Sequence, residues 1–530
     1  MLFAAGLPLV LRAWEMLWSL PYAGRLFLSG IGLTVIALSV LGGRKLHIGT
    51  RAEQARLGSV IAVAWIVVAA LVALIVTGTW WVMGSPQPLM PDQLPPRALD
   101  AIATRAFAVV AGLGAAALLV ISYRRQRTTE RGDQREVTKL FTERFDSASE
   151  KLGSEHAAVR LAGVHALAHL ADDAPEGHDE LVQMVIDVLC AYLRMPYRPE
   201  PNELYEESTP EQREAYEEQA LTFASMREVR QTIIRVIGNH LSTDTRWVGK
   251  NYDFTGAKID GGDFRGASFT GGDVIFDDCV FAGGVTKFKE AQFTGGRVSF
   301  DGATFKEGVV SFDKSIFSEG RISFEGAHFL GGVLEFGMAT FRGSYVSFAK
   351  SKISRSVFSF HGAKFEKKTV TFRMADFSDG EVLFSGSDVK GGRVSFIGAK
   401  LQNSVIRMGF SKVTAGVVDF SQIKLLDSTV EFHISKLLGG QVKFQSSRLE
   451  SGKLSFRNAL LEGCCLDFVG AELGEDVVTF KEARMNGGRI IFAKTFSHHE
   501  FEASGYCPIG LIELAEGGAR GTIDFPKDWD

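Results

Sequence analysis

Phenylalanine recurs every twelve residues through almost half of the chain. In 300–329, FDGATFKEGVVSFDKSIFSEGRISFEGAHF, Phe300, Phe312 and Phe324 are each followed five residues later by another Phe. A fixed period of this kind indicates a repeat architecture. The full column comprises Phe264, Phe276, Phe288, Phe300, Phe312, Phe324, Phe336, Phe348, Phe360, Phe372, Phe384, Phe396, then Met408, then Phe420, Phe432, Phe444, Phe456, Phe468, Phe480 and Phe492.

Other residue types recur with the same twelve-residue period as the rings. An aliphatic residue such as Val298 stands two residues before each ring, and a small residue such as Ala303 stands three after it. A glycine column, including Gly296 and Gly308, marks a turn. The two-residue step places both side chains on one face of a short strand, and rungs stacked about 4.8 Å apart would lay ring over ring. We therefore expect an inward-pointing core ladder formed by Phe300, Phe312, Phe324, Phe336, Phe348, Phe360, Phe372, Phe384 and Phe396.

Two other repeat architectures fit the sequence less well. A meander of antiparallel hairpins would show Asn-Gly or Asp-Gly turns without a strict period, and helical repeats conflict with the glycines and the two-residue pattern. A coil of one twelve-residue unit would enclose too little room for two rings. We predict about two units, or 24 residues, per coil and about ten coils between 252 and 492.

Composition sets wider limits on the chain. Its 530 residues favour about three or four domains. A net charge of -4 gives no strong bias toward nucleic acid or an acidic partner. Five cysteines without a CxxC pair indicate a reducing compartment.

Three charge-free apolar runs, 26–43, 57–83 and 106–123, predict three membrane-spanning helices in a membrane domain, 1–125. Segment 1–24 is predicted as an interfacial helix rather than a further span. The alternative for the three apolar runs is that they form buried core helices. Basic clusters follow the first and third runs, including Arg44, Lys45, Arg124 and Arg125. The positive-inside rule then predicts a multi-pass plasma (inner) membrane protein with a cytoplasmic carboxy-terminal body, in contact with the lipid bilayer.

Helical spacing returns in a predicted cytoplasmic connector, 126–246, that contains an acidic, proline-rich linker, 195–218. Within the connector, His165, His169, His178 and Asp172 match no tight metal-ligand spacing. The repeats are expected to occupy 247–495, and 496–530 is predicted as a C-terminal cap that covers the last coil.

The first repeats carry a resemblance to a known family. Segment 252–272, YDFTGAKIDGGDFRGASFTGG, steps by five through Phe254, Ile259, Phe264 and Phe269. It resembles the pentapeptide-repeat family, which implies a right-handed quadrilateral β-helix. The connector resembles the helical region that precedes the repeats in membrane-anchored bacterial members. The predicted fold is thus multidomain: an α-helical transmembrane segment, an α-helical connector, and a right-handed, quadrilateral-type parallel β-helix of twelve-residue units.

No motif points to catalysis. The chain lacks a phosphate loop, HExxH and Gly-x-Ser-x-Gly. The late cluster His498, His499, Glu500 and Cys507 has the residue types of a metal site but belongs to an end segment, and strand alternation separates Asp277 from Asp278. We predict a non-enzymatic protein with no catalytic residues, no cofactor and no metal.

Two functions from different classes fit this architecture. The first is a membrane-anchored scaffold whose flat outer faces bind an unknown cytoplasmic protein partner, without direct nucleic-acid binding. The alternative is DNA mimicry against an enzyme such as DNA gyrase, as in some soluble members of the family. Mimicry needs a strongly negative face, whereas the outward positions mix Lys314 and Arg321 with Asp301 and Glu319.

Overall fold

The computed structural model describes residues 78, 79, 82, 84, 95–196, 201, 209–496, 499–516, 521–526 and 529. The chain divides into two compact units, Met1–Lys139 and Leu140–Asp530. The second unit holds the repeats.

Five helices lie in the described part of the chain: α1 Pro96–Leu152, α2 Ala157–Asp172, α3 Asp179–Arg194, α4 Pro210–Leu241 and α5 Leu511–Glu516. Helix α4 begins inside the segment predicted as a linker. Its start is fixed by a capping box, in which Thr209 and Gln212 exchange side-chain and backbone hydrogen bonds, with Pro210 in the first turn.

The prediction of a transmembrane domain is wrong where it can be compared with the structure. Run 106–123 lies within α1, yet none of the helices in the described ranges combines the length and the apolar character needed to cross a bilayer. The prediction rests on freedom from charge, but Ala and Gly supply eight of the eighteen residues of this run. Such small side chains contribute little apolar surface. Run 26–43 and nearly all of 57–83 lie outside the described residues, as does segment 1–24. The multi-pass plasma-membrane location was inferred from these spans, so that prediction is wrong as well.

The repeats form a right-handed parallel β-solenoid of about ten turns with four faces, and every fourth strand lies on the same face. The first face comprises Tyr252–Asp253, Asp273–Ile275, Arg297–Ser299, Arg321–Ser323, Tyr345–Ser347, Thr369–Thr371, Arg393–Ser395, Val417–Asp419, Gln441–Lys443, Cys465–Asp467, Arg489–Ile491 and Thr522–Asp524. The second comprises Lys258–Ile259, Val280–Phe281, Thr304–Phe305, His328–Phe329, Lys352–Ser354, Asp376–Ser378, Lys400–Gln402, Lys424–Leu426, Arg448–Leu449, Glu472–Leu473 and Ser504–Gly505.

The third face comprises Gly262–Asp263, Val285–Lys287, Val309–Ser311, Val333–Glu335, Val357–Ser359, Glu381–Leu383, Val405–Arg407, Ser428–Glu431, Gly452–Ser455 and Val478–Thr479. The fourth comprises Ser268–Phe269, Gln292–Phe293, Ile316–Phe317, Thr340–Phe341, Lys364–Phe365, Asp388–Val389, Lys412–Val413, Lys436–Leu438, Leu460–Glu462 and Arg484–Asn486. A further pair, Ala493–Phe496 and His499–Glu502, is antiparallel.

Strand register fixes the length of a coil. Val298 pairs with Ile322, and Thr304 pairs with His328, so neighbouring strands are 24 residues apart. The first coil is shorter, because Tyr252 pairs with Val274. The β-helix prediction, with two twelve-residue units per coil and about ten coils, is confirmed.

The twelve-residue Phe column divides into two ladders, because alternate rings fall at opposite corners of the coil. Phe300 stacks on Phe324 at 4.6 Å between ring centroids. Phe312 stacks on Phe336 at 5.0 Å. The two ladders meet edge to face, with Phe300 and Phe312 at 6.2 Å and 87°. Both geometries are favourable for aromatic pairs, so ring–ring contacts hold the coils together along the axis and across it.

Helices α3 and α4 and Trp247 contact the first coil. Arg230 is buried and donates to the carbonyls of Leu193 and Lys258, both at 2.7 Å. A Cβ on Gly238 would lie 2.1 Å from the Asp263 carbonyl oxygen, so glycine allows α4 to approach the coil.

At the other end of the solenoid, residues from the tail extend the sheets. Strand Thr522–Asp524 pairs with Arg489–Ile491, and the Trp529 ring lies 5.0 Å from Phe492. That these terminal segments protect the solenoid from end-to-end association stays a prediction.

Candidate interaction surface

The nine residues of the expected core ladder are all interior. Each is buried with no exposed surface, and the small residue three positions after each ring packs beside it. Ser315, for example, donates from Oγ to the Phe288 carbonyl at 2.7 Å. These residues hold the coil together and are not accessible to a ligand.

The candidate metal ligands of the connector are not brought together. Asp172 instead accepts hydrogen bonds at the contact with the solenoid: Trp247 Nε1 donates to its Oδ1 at 2.9 Å, and His240 Nε2 lies 3.1 Å from its Oδ2. His178 contacts Glu180 at 2.7 Å between Nδ1 and Oε1. Among the residues whose positions are described, no three His, Cys, Asp or Glu side chains form a group that would hold a metal ion. Sequence reasoning missed the part played by Asp172, because its partners are 68 and 75 residues away.

The late cluster is divided by the hairpin. His498 lies outside the described residues, whereas His499 and Glu500 belong to a strand that pairs with Ala493–Phe496. Burial raises the pKa of the Cys507 thiol. A raised pKa keeps the thiol protonated and makes it a poor nucleophile and metal ligand.

The adjacent carboxylates at 277 and 278 have different surroundings. Asp277 Oδ1 accepts from the backbone N–H of Asp301 in the next coil at 3.0 Å, and Asp301 Oδ1 in turn accepts from the N–H of Glu325 at 2.8 Å. Asp278 lies at the turn with φ of 55°. The carboxylates of Asp277 and Asp301 thus stabilise successive turns.

A groove of about 440 Å³ lies along α4. Its lining includes Tyr216, Arg227, Glu228 and Gln231. These side chains provide no nucleophile with a neighbouring general base, and the groove therefore offers a binding concavity rather than an active site.

The outer surfaces of the second and fourth faces carry the same arrangement of charge. We call the two rows the basic columns. On the second face the column runs Lys352, Asp376, Lys400, Lys424 and Arg448. On the fourth face it runs Lys364, Asp388, Lys412 and Lys436. Because the faces are offset by twelve residues, the twelve-residue repeat in sequence becomes one basic column on each of these two faces.

Like charges are direct neighbours in both basic columns. Lys400 pairs in register with Lys424, and Lys412 pairs with Lys436. Facing like charges on adjacent strands lower stability. Elsewhere the same faces place opposite charges together, as in Arg448 and Glu472 at 3.3 Å and Arg342 and Glu366 at 3.4 Å. Lys424 has one carboxylate close by, Glu450 at 3.2 Å. The other three lysines of these pairs run against the pattern that best stabilises the solenoid.

On the first face Arg297 and Arg321 are also register neighbours, but each has a carboxylate close by. Arg321 lies 3.9 Å from Glu325 and 5.9 Å from the centre of the Tyr345 ring. Arg407 on the third face contacts Glu381 and lies 3.7 Å from Glu431. These arginines thus have nearby carboxylates, whereas no ion pair of Lys400, Lys412 or Lys436 is found in the described part of the chain.

Comparison with known proteins supports the fold and leaves the partner unidentified. Residues 288–334 match the family described as pentapeptide repeats (9 copies). No curated protein matches the chain, and no solved structure does. These comparisons give no support for the further resemblance to membrane-anchored bacterial members. The matched residues lie within the β-solenoid, and pentapeptide repeats are generally structural rather than enzymatic modules.

Proposed function

We propose that this chain is a non-enzymatic protein-interaction module, and that the basic columns bind an acidic surface of a partner protein. The observation that carries the proposal is the pairing of like charges, Lys400 with Lys424 and Lys412 with Lys436. An arrangement that lowers stability without benefit to the fold is explained when a partner supplies the opposite charge.

An acidic protein fits the basic columns better than nucleic acid does. Asp376 and Asp388 interrupt the columns and would repel a continuous phosphate backbone. No aromatic side chain stands in either column to stack on bases. The alternative of DNA mimicry needs a face rich in carboxylates, and the basic columns carry the opposite charge.

The test exploits the opposed effects of charge on stability and binding. Lys424→Glu combined with Lys436→Glu converts both columns to strict alternation of charge. We expect the variant to melt close to the temperature of the parent, because the repulsion relieved within the columns offsets the lost exposed ion pair between Lys424 and Glu450. Its affinity for a fluorescent polyglutamate peptide of about 20 residues, measured by anisotropy at low and physiological salt, should fall by about tenfold or more.

The matched control is Arg393→Glu combined with Lys453→Glu, which makes the same change of net charge on the first and third faces; Arg393 has the uncharged register neighbours Thr369 and Val417. We expect this control to weaken polyglutamate binding by less than about twofold. Equal losses in the two double variants would reduce the effect to net charge and overturn the proposal. A duplex DNA of similar charge that bound more tightly than polyglutamate would assign the columns to nucleic acid instead.

A further inference from the structure

The two basic columns lie on opposite sides of the solenoid. Strands fill the four faces in a fixed order along the chain, so the second and fourth faces are separated by the third face on one side and by the first on the other. Lys424 on the second face comes twelve residues before Lys436 on the fourth, which is half of the 24-residue coil. A flat surface of a partner can therefore contact only one column at a time.

Two successive coils carry matching outward residues in both columns. Each set combines two lysines in register, a neutral polar residue and a leucine. The strand with the second lysine reads KLL on both faces. We call the sets the second-face patch, Lys400, Gln402, Lys424 and Leu426, and the fourth-face patch, Lys412, Thr414, Lys436 and Leu438.

Carboxylates border both patches along the solenoid axis. Asp376 precedes Lys400 in register, and Asp388 precedes Lys412. At the other end, Glu450 and Glu462 follow the two leucines by 24 residues. These carboxylates repel an acidic chain that runs far along the axis, so each patch suits a short acidic segment about two coils wide.

The leucine of each patch lies on the surface beside the lysines. Leu425 and Leu437 are fully buried, and strand alternation turns the next residues, Leu426 and Leu438, outward, where both are partly exposed. An acidic segment that carries an apolar side chain therefore fits either patch. Lys424 already contacts Glu450 at 3.2 Å, but an exposed ion pair of this kind contributes little and is readily replaced by a partner.

We propose that the chain is bivalent, and that each patch binds one acidic segment, so that a single molecule bridges two copies of the same partner. This inference rests on the proposed function and adds the number and the placement of the binding sites. Because the two patches share their lysines and leucine at equivalent positions, they suit two copies of one partner rather than two different partners.

The alternative occupant is one long acidic segment that runs around the solenoid and contacts both patches. Its path follows half a coil, twelve residues or roughly 40 Å at the rise of a strand. The path crosses the first or the third face, where charges of both signs are neighbours, as in Asp419 with Lys443 and Glu431 with Arg407. A wrapped acidic segment gains little on the way, which favours two separate segments.

The test uses beads coated with hexaglutamate. Six residues span at most about 22 Å, so one peptide is too short to join both patches. The full chain is mixed with the beads at low salt, where charge attraction is strongest. Loss of protein from the supernatant measures binding, and turbidity measures bridging between beads. We expect the parent to bind the beads and to aggregate them.

Two double variants each remove one patch. Lys400→Gln with Lys424→Gln removes the lysines of the second-face patch, and Lys412→Gln with Lys436→Gln removes those of the fourth-face patch. Neutral glutamine relieves the like-charge pairs without adding a carboxylate, and the melting temperature verifies folding. Each double variant should still bind the beads, but its turbidity should fall by about tenfold or more. The variant that lacks all four lysines should neither bind nor aggregate them.

Arg393→Gln with Lys453→Gln is the matched control, because it removes two positive charges outside the patches. We expect this control to aggregate the beads like the parent. A parent that does not bind hexaglutamate beads would overturn the proposed function itself. A parent that binds without aggregating them, or a one-patch variant that aggregates them like the parent, would overturn bivalency and leave the proposed function standing.

Discussion

The solenoid has two halves that fold into the same coil with different interiors. In the first half, 269–372, rings fill all four corners, because Phe305 stacks on Phe329 and Phe317 stacks on Phe341 in addition to the two main ladders. In the second half, 389–492, these two extra ladders become aliphatic after a last ring at Phe377. The aliphatic members at the corresponding register positions are Val389, Leu401, Val413, Leu425, Leu437, Leu449, Leu461 and Leu473.

The turns between faces change as well. In the first half the left-handed residue comes eight positions after the ring, as at Gly308, with φ of 87°. In the second half it often comes seven positions after, at Asp379, Asn403 and Asp427. The strand before the turn lengthens by one residue, from Thr304–Phe305 to Lys400–Gln402. The register nevertheless stays at 24 residues, so the two main Phe ladders, not the turns or the extra rings, fix the coil.

The largest expected effect comes from breaking what the halves share. Phe324→Asp in the first half and Phe444→Asp in the second should each lower the free energy of unfolding by several kcal/mol, because each buries an unpaired carboxylate. Denaturant midpoints of the full chain measure both. If Phe444→Asp were far milder than Phe324→Asp, the main ladder would not be the common foundation of the two halves.

Glu325→Ala is the control for these substitutions. Glu325 is adjacent to the ring but lies on the surface, 3.0 Å from Lys350. Such exposed ion pairs contribute little, so we expect a change within about 0.5 kcal/mol.

The repeat could be predicted from sequence because its signal is local and redundant. Each ring at a twelve-residue step repeats the same information, and the coil length follows from the volume of two rings. The reason for each glycine in the glycine column could be predicted from the sequence only in part. Gly296 and Gly308 have a positive φ, but Gly416 does not. Gly416 is required because a Cβ there would lie 2.5 Å from a Val389 methyl group, a contact that only the folded stack reveals.

At the boundary between the two halves, a smaller side chain at one core position is compensated by a larger one at another. Ile353 occupies the position where the ladder of Phe305 and Phe329 would continue. Phe358 stands in a column otherwise filled by aliphatic residues such as Leu334 and Val382, and its ring lies 4.7 Å from Phe329 at 68°. A large and a small side chain have exchanged places, which conserves the volume of the core.

A double-mutant cycle sharpens this point. Ile353→Phe alone should cost about 1–3 kcal/mol through overpacking, and Phe358→Val alone should cost about as much or more through a cavity. Together they restore the pattern of the first half, and we expect the double variant to recover at least about 1 kcal/mol of the summed loss. Additive losses in denaturant titrations would show that the two sites do not exchange volume.

The surfaces were harder to predict than the core. The proposed basic columns depend on which residues fall 24 positions apart on one face, so they become visible only after the coil length is known. Arg230 carries no sequence signal for its place between α3 and the first coil, because its acceptors are backbone carbonyls. The membrane prediction failed for a different reason. The length of a charge-free run was used as the measure of its apolar character.

The smallest expected effect concerns the column of small residues three positions after each ring. It tests whether the members of this column make equivalent hydrogen bonds. Cys279 stands three residues after Phe276, and its Sγ lies 2.9 Å from the Phe254 carbonyl oxygen, as Ser315 Oγ lies 2.7 Å from that of Phe288. Burial raises the pKa of the Cys279 thiol to about 12. Cys279→Ser should therefore change the free energy of unfolding by less than about 1 kcal/mol at pH 8, because serine makes the same hydrogen bond.

The sign of the pH dependence separates the two side chains. The thiol of the unfolded chain ionises near its ordinary pKa, whereas the folded thiol stays protonated up to its raised pKa of about 12. The stability that Cys279 contributes is thus complete below about pH 9 and is lost as the pH rises toward 12. Serine does not ionise, so at pH 10 the Cys279→Ser variant should gain about 1 kcal/mol relative to the parent. Urea titrations at pH 8 and pH 10 measure this difference, and an unchanged difference would mean that the folded thiol ionises as readily as the unfolded one.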